Sequence, residues 1–195
     1  MKQKSNKLNV IEEFNVKGMI CSRCLKVLNT ELKTAGAKVV EMHLGKVVIS
    51  YDPKKINKSL IERIIQDNEF EIIWSKESVL SEKIKLWIIN YLWNTNQEEK
   101  LSSFLQEKLH TNYGSLSKIF SKTFGKTIER YSLLIMIERS KELIENGQMS
   151  FSEIAYLMGY QHLSGLSRLF KQETGMSMKE YKNLDINKRI PIDKI

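Results

Sequence analysis

Cys21 and Cys24 are the only cysteines in the 195-residue chain, and they sit together in Gly18-Met19-Ile20-Cys21-Ser22-Arg23-Cys24. Two thiols on one short loop suit a soft cation of low coordination number, Cu(I) foremost, or a dithiol–disulfide pair. Zn(II) normally takes four ligands, and no second cysteine pair exists to complete them. A helix beginning at Cys24 would favour thiolate there through its dipole and free N–H groups, with Arg23 adding to the bias. His43 is a candidate third ligand on a hairpin expected at the same end of a sheet. One intervening strand would hold it roughly 10 Å away, so an edge-of-strand histidine is the plainer reading. Met19 reads as core beneath the loop rather than as a ligand.

A second set of residues recurs fifty positions apart. Ser115-Leu-Ser-Lys-Ile-Phe-Ser-Lys-Thr-Phe-Gly125 aligns without a gap on Gly165-Leu-Ser-Arg-Leu-Phe-Lys-Gln-Glu-Thr-Gly175. The alignment continues to Thr127/Ser177 and Tyr131/Tyr181. Apolar residues keep helical spacing, a glycine stops each helix, and Ser117-Lys118 is matched by Ser167-Arg168. Apolar repetition alone would serve a fold. Repetition of a hydroxyl and a cation on the surface face points to two copies meeting one kind of anionic partner. An arginine can grip guanine with two parallel hydrogen bonds, and a lysine can meet base or phosphate.

These residues need elements to hold them. Residues 13–20 read as a strand, 24–33 as a helix, 37–43 and 46–51 as a hairpin, 57–68 as a helix and 70–74 as a last strand. The order βαββαβ is the ferredoxin-like split βαβ unit. Residues 78–93 have apolar positions at helical spacing, with Ser78 or Ser81 as cap, and 94–100 form a polar loop. That helix is read as the first of the C-terminal domain, or as a dimer or coupling element. Short helices at 101–109 and 151–158 precede the repeated ones, giving helix, tight turn and helix twice. A helix over 128–145 joins the two units and can hold their second helices about one DNA turn apart, which implies an asymmetric site for a single chain.

The C-terminal half resembles the DNA-binding domain of the AraC/XylS transcription regulators. Ile154-Ala155, Gly159-Tyr160, Leu166-Ser167-Arg168, Phe170-Lys171, Thr174-Gly175 and Tyr181 carry the likeness, and Met178 departs from it where proline is usual. The resemblance implies duplex DNA as partner, with RNA polymerase and a second copy of the chain as further candidates. It also implies groove-facing positions: Tyr113, Gly114, Ser117 and Lys118 in the first unit, and Leu163, Ser164, Gly165, Ser167 and Arg168 in the second. Gln161 and His162 flank the latter set in the turn. Two glycines among these positions leave fewer side chains for reading bases, so DNA shape should contribute to specificity.

The N-terminal half resembles the heavy-metal-associated domain of copper chaperones and metal-transporting ATPases, through Gly18-Met19-x-Cys21-x-x-Cys24, Tyr51-Asp52-Pro53 and Phe70. Ile20 stands where threonine is common, and Glu69 where glycine precedes the aromatic. The likeness implies Cu(I) or another soft ion at Cys21 and Cys24. A thiol redox sensor and a domain kept only for protein contacts remain open beside it.

A net charge of +8 favours an anionic partner. No apolar run reaches membrane length and the first residues lack a signal-peptide core, so a cytoplasmic location is expected. Paired carboxylates, a Ser-His constellation and a phosphate-binding glycine loop are missing, which argues against an enzyme. The expected organisation is a metal-binding domain at 1–77, a linker helix and loop at 78–100, a double helix-turn-helix domain at 101–183 and a tail at 184–195. The function expected is a transcription regulator responsive to a soft metal. The alternatives are a constitutive regulator with an N-terminal interaction module, and a metal carrier.

Overall fold

Apolar residues on one face of each strand build the N-terminal sheet. The computed structural model describes residues 9–94, 99–184 and 188–195, so most of the polar loop read at 94–100 lies outside the described residues. Strands β1 (Val10–Lys17), β2 (Lys38–His43), β3 (Lys46–Tyr51) and β4 (Glu71–Ile73) form one antiparallel sheet in the order β2-β3-β1-β4. Phe14 and Val16 of β1 and Val47, Ile49 and Tyr51 of β3 share its buried face. Helices α1 (Ser22–Thr34) and α2 (Lys58–Asp67) cover that face with Leu28 and Leu32, and with Ile61 and Ile65, pairs four residues apart as one helix face requires. The expected βαββαβ order is the one observed.

Its first strand lies earlier than the residue pattern suggested. β1 ends at Lys17 rather than running to Ile20, because Gly18 turns the chain at φ +88° and Met19 drops into the core. The same end of the domain contains Glu69 at φ +61°, a left-handed conformation that costs a non-glycine residue roughly 1–2 kcal/mol. This is the position where the resembled family has glycine. Glu69→Gly should therefore raise stability by about 0.5–1 kcal/mol, after allowing for glycine's freer unfolded state. Thermal unfolding checks this; a lower midpoint would mean that Glu69's contacts outweigh the backbone strain.

Helix α3 (Lys76–Asn94) follows, capped by the Ser75 hydroxyl, which accepts the Ser78 N–H at 3.0 Å. The cap is thus three residues ahead of the nearer of the two serines considered from sequence. The chain divides into two compact units inside this helix, between Leu86 and Trp87.

The C-terminal unit is helical: α4 (Leu101–Leu109), α5 (Tyr113–Phe124), α6 (Ile128–Asn146), α7 (Phe151–Leu157), α8 (Leu163–Thr174) and α9 (Met178–Lys182). Local signals set the boundaries. Asn112 caps α5 and Thr127 caps α6 through side-chain oxygens, while Ser150 with Glu153 and Ser177 with Glu180 form reciprocal capping boxes. The repeat is structural as well as textual. Leu116 and Phe120 are fully buried in one copy, Leu166 and Phe170 in the other. Phe120 meets Tyr131 edge-on with ring centroids 5.5 Å apart, and Phe170 meets Tyr181 at the same 5.5 Å. Met178, at the position where the resembled family usually has proline, is buried like its counterpart Ile128.

Residues 188–190 return to α6, where Glu138 and Lys141 form a buried pair at 2.5 Å. Glu138 accepts the Ile190 N–H at 2.8 Å, and Lys141 donates to the Lys188 carbonyl at 3.2 Å. What reads in sequence as a tail is docked on the joining helix at these residues.

Candidate nucleic-acid interface and thiol pair

The two repeated helices carry their buried residues on one stripe and their cations opposite. In α8, Leu166 and Phe170 face inward, while Ser164, Arg168 and Gln172, spaced i, i+4, i+8, are exposed on the other side. In α5 the equivalent exposed row is Gly114, Lys118 and Lys122. Neither Lys118 nor Arg168 takes part in an ion pair or hydrogen bond among the described residues. Lys122 and Gln172 extend this row by one turn and were missed from sequence, although their spacing from Lys118 and Arg168 signals them.

The remaining expected contacts separate by environment. Gln161, His162 and Ser164 are exposed around the start of α8. Ser117 is half-buried. Ser167 is half-buried too, and its hydroxyl lies 3.7 Å from the Met178 sulfur, an interior contact. Tyr113 is also half-buried. Its phenol donates to Glu129, and burial together with that carboxylate pushes it well above the ordinary tyrosine range. The Tyr113 hydroxyl is thus engaged at the start of α6.

Gly165 has a packing reason. A Cβ there would come within 2.7 Å of the Tyr160 ring, and the aromatic occupies the space that a side chain would need. Gly165→Ala should destabilise the C-terminal unit by about 1–3 kcal/mol, as overpacking does. Pairing it with Tyr160→Ala should cancel the clash, so a double-mutant cycle by denaturant unfolding ought to show strong coupling. Additive effects would mean that the ring moves aside freely.

Joining helix α6 spans 19 residues, about 28 Å at 1.5 Å per residue, against roughly 34–36 Å for one turn of B-DNA. Arg130 at its start pairs with Glu173 at the end of α8 at 2.7 Å, tying one repeat to the other.

In the N-terminal unit, Cys21 is the residue before α1, and its sulfur lies 3.3 Å from that of Cys24. The thiolate bias falls on Cys21, not on Cys24 as the sequence suggested. Partial burial opposes the Cys21 thiolate, yet the backbone N–H groups of Cys24 and Arg23, the Cys24 thiol and the Arg23 charge together bring it below the ordinary thiol value. Burial, followed by the neighbouring Cys21 sulfur, pushes Cys24 up. The helix starts earlier than expected, so the free amides point at the preceding sulfur. Met19 is fully buried in the core, and Phe70 packs against that core. His43 is exposed and pairs with Glu41 at 3.2 Å. Among the described residues no group of three or more His, Cys, Asp or Glu side chains is placed to hold a metal ion. The donor set is therefore two thiols, which fits a soft ion content with few ligands and does not fit Zn(II).

Residues 105–183 match the family described as a helix-turn-helix domain. The Msm operon regulatory protein of Streptococcus mutans is 25% identical over 133 residues, an alignment covering 59% of this chain and 48% of that protein. The uncharacterized HTH-type transcriptional regulator YobQ of Bacillus subtilis is 28% identical over 79 residues, covering 40% of this chain and 33% of its own length. The C-terminal domain of AraT, a response regulator from Geobacillus stearothermophilus, has a similar fold, with a TM-score of 0.51 at 21% identity over 60% of this chain and 95% of that domain. The chain spans less than half the length of either curated relative. Residues 105–183 of the C-terminal unit are thus a helix-turn-helix domain, and the curated relatives they resemble are described as regulators of an operon or of transcription. No helix among the described residues is long and apolar enough to cross a membrane.

Proposed function

We infer that the chain is a transcription regulator of the AraC type whose DNA binding responds to a soft metal ion, Cu(I) first, taken up by Cys21 and Cys24. The double helix-turn-helix, with Lys118 and Arg168 exposed opposite the buried stripes, supports the DNA half of this reading. The observation that carries the metal half is the thiol pair, 3.3 Å apart at the start of α1, with Cys21 biased toward thiolate. Such a pair supplies two soft sulfur ligands without help from a third side chain. Duplex DNA is the partner, and RNA polymerase is the candidate protein partner for an activating role.

The test joins metal and DNA in one experiment. Under anaerobic, reducing conditions the protein should take one equivalent of Cu(I) from a chelator, and DNA affinity in a mobility-shift assay should change with it. Cys21→Ser and Cys24→Ser should each abolish both responses while leaving the protein folded. Zn(II) should bind far more weakly. Copper uptake with no change in DNA binding would remove the sensor and leave a metal site. No uptake by fully reduced protein would favour the N-terminal domain as an interaction module on a constitutive regulator.

A further inference from the structure

The cysteine loop rests on a buried charge that the thiol chemistry does not use. Glu82 of α3 is only 3% exposed, and its Oε1 accepts the backbone N–H of Gly18 at 3.0 Å, three residues before Cys21. Its Oε2 is buried and accepts no hydrogen bond among the described residues. Lys85, one turn on and 4% exposed, stands 3.9 Å from that oxygen and offers it charge compensation. Next to Lys85, Leu86 seats α3 on the β2–β3 hairpin. A Cβ on Gly45 would lie 3.1 Å from the Leu86 side chain. Thus α3 touches both loops at the cysteine end of the sheet, each through a glycine with positive φ, +88° at Gly18 and +81° at Gly45.

A buried ion pair is a poor source of stability, since apolar residues of similar size often do as well, while a half-removed pair is costly. Glu82 therefore makes the loop conditional. If Gly18 moves, a buried carboxylate loses a backbone donor, and α3 must shift or hydrate to compensate. The link runs both ways: whatever holds α3 also holds the loop. The same helix continues past Leu86 into the second compact unit, so the element that senses Gly18 is also part of the helical half.

We propose that Glu82 is the positioning residue of the cysteine loop and that α3 is the output element of the thiol site. The output half rests on the metal-responsive reading above; the positioning half does not. Two readouts on the full-length protein separate them. The first is the rate of Cys21 alkylation by iodoacetamide in reduced, metal-free protein. Glu82→Ala should change that rate several-fold, whereas Glu82→Gln, whose amide oxygen can still accept the Gly18 N–H, should stay near wild type. A purely structural role would lower stability in both without this split. The second readout is the copper-dependent change in DNA affinity, expected within the roughly 5–150-fold range of coupled sites. Glu82→Ala should still bind one equivalent of Cu(I) and still bind DNA, but the copper-dependent change should be lost. Circular dichroism confirms that each variant is folded. An unaltered alkylation rate in Glu82→Ala overturns the positioning role. A copper response that survives in Glu82→Ala overturns the output role. If wild type itself shows no copper response, the metal-responsive reading fails and the output role with it, while the alkylation comparison still decides the positioning role.

Discussion

Replacing Lys118 and Arg168 together by alanine should reduce specific DNA affinity by roughly two orders of magnitude at fixed salt, with the fold intact. The two side chains should contribute differently. Arg168 stands on the exposed row of α8, opposite Leu166 and Phe170, with no carboxylate to compete for its guanidinium among the described residues. Its planar fork suits the two acceptors of guanine, so Arg168→Ala should cost about 1–3 kcal/mol and relax the preference at one base pair. Lys118 holds the equivalent place on α5 as a point charge. Its loss should weaken binding to all sequences alike and lower the salt slope by about one released counterion if it meets phosphate. Neither residue is buried, so unfolding curves should match wild type. Mobility shifts across a salt series with specific and scrambled duplexes measure both effects. Unchanged binding by the double variant would refute the placement of these helices in the groove. Lys122→Ala, one turn beyond Lys118, should follow the lysine pattern if the exposed row as a whole lies along the DNA.

The legible parts of this protein were those set by local rules. All four strands of the sheet were legible as segments, and β3 matches its expected limits of 46–51. Apolar spacing and terminal glycines located the helices of the double helix-turn-helix. The structure adds detail where local boundaries and tertiary contacts decide. Met19 and Ile20 look like a continuing strand, but Met19 is core under a turn made at Gly18. Moving the start of α1 from Cys24 to Ser22 shifts the helix amides onto Cys21 and reverses the expected order of thiol acidity. Glycine at 165 looked like a missing reading residue, yet it is where Tyr160 packs. Ser167 repeats Ser117 in sequence while its hydroxyl turns to Met178, a residue without a polar counterpart in the first copy. Glu82 could not be singled out at all. In sequence it is one charge among several on an apparently amphipathic helix, and nothing local to that helix reveals that it is buried and meets the Gly18 N–H.

The same reasoning changes what an isolated DNA-binding fragment must contain. A fragment beginning near residue 95 would hold both helix-turn-helix units and their joining helix. The structure puts part of α3 in that unit's core. Trp87 meets the Phe104 ring edge-on at 5.8 Å, Tyr91 packs on the same ring at 5.2 Å, and Trp93 lies under the Arg139 guanidinium at 4.9 Å. The Tyr91 hydroxyl also donates to the Glu99 carbonyl at 2.6 Å, and Leu92 is buried. A fragment starting at 95 loses all of these and strips Phe104, leaving its α4 without a cover. At about 1.5–3 kcal/mol for each large apolar side chain, the loss approaches the 5–15 kcal/mol that holds a typical domain together. A fragment starting at Lys76 should fold cooperatively by circular dichroism and bind DNA. One starting at residue 95 should melt at a much lower temperature or show no cooperative transition. Because Phe104 belongs to the first repeat, the damage should begin there, and α8 with its Phe170–Tyr181 pair should be the last part to lose amide protection. Equal melting temperatures for the two fragments would show that the aromatic cluster of α3 is a passive cover, and that the first helix-turn-helix is stable on α4, α5 and α6 alone.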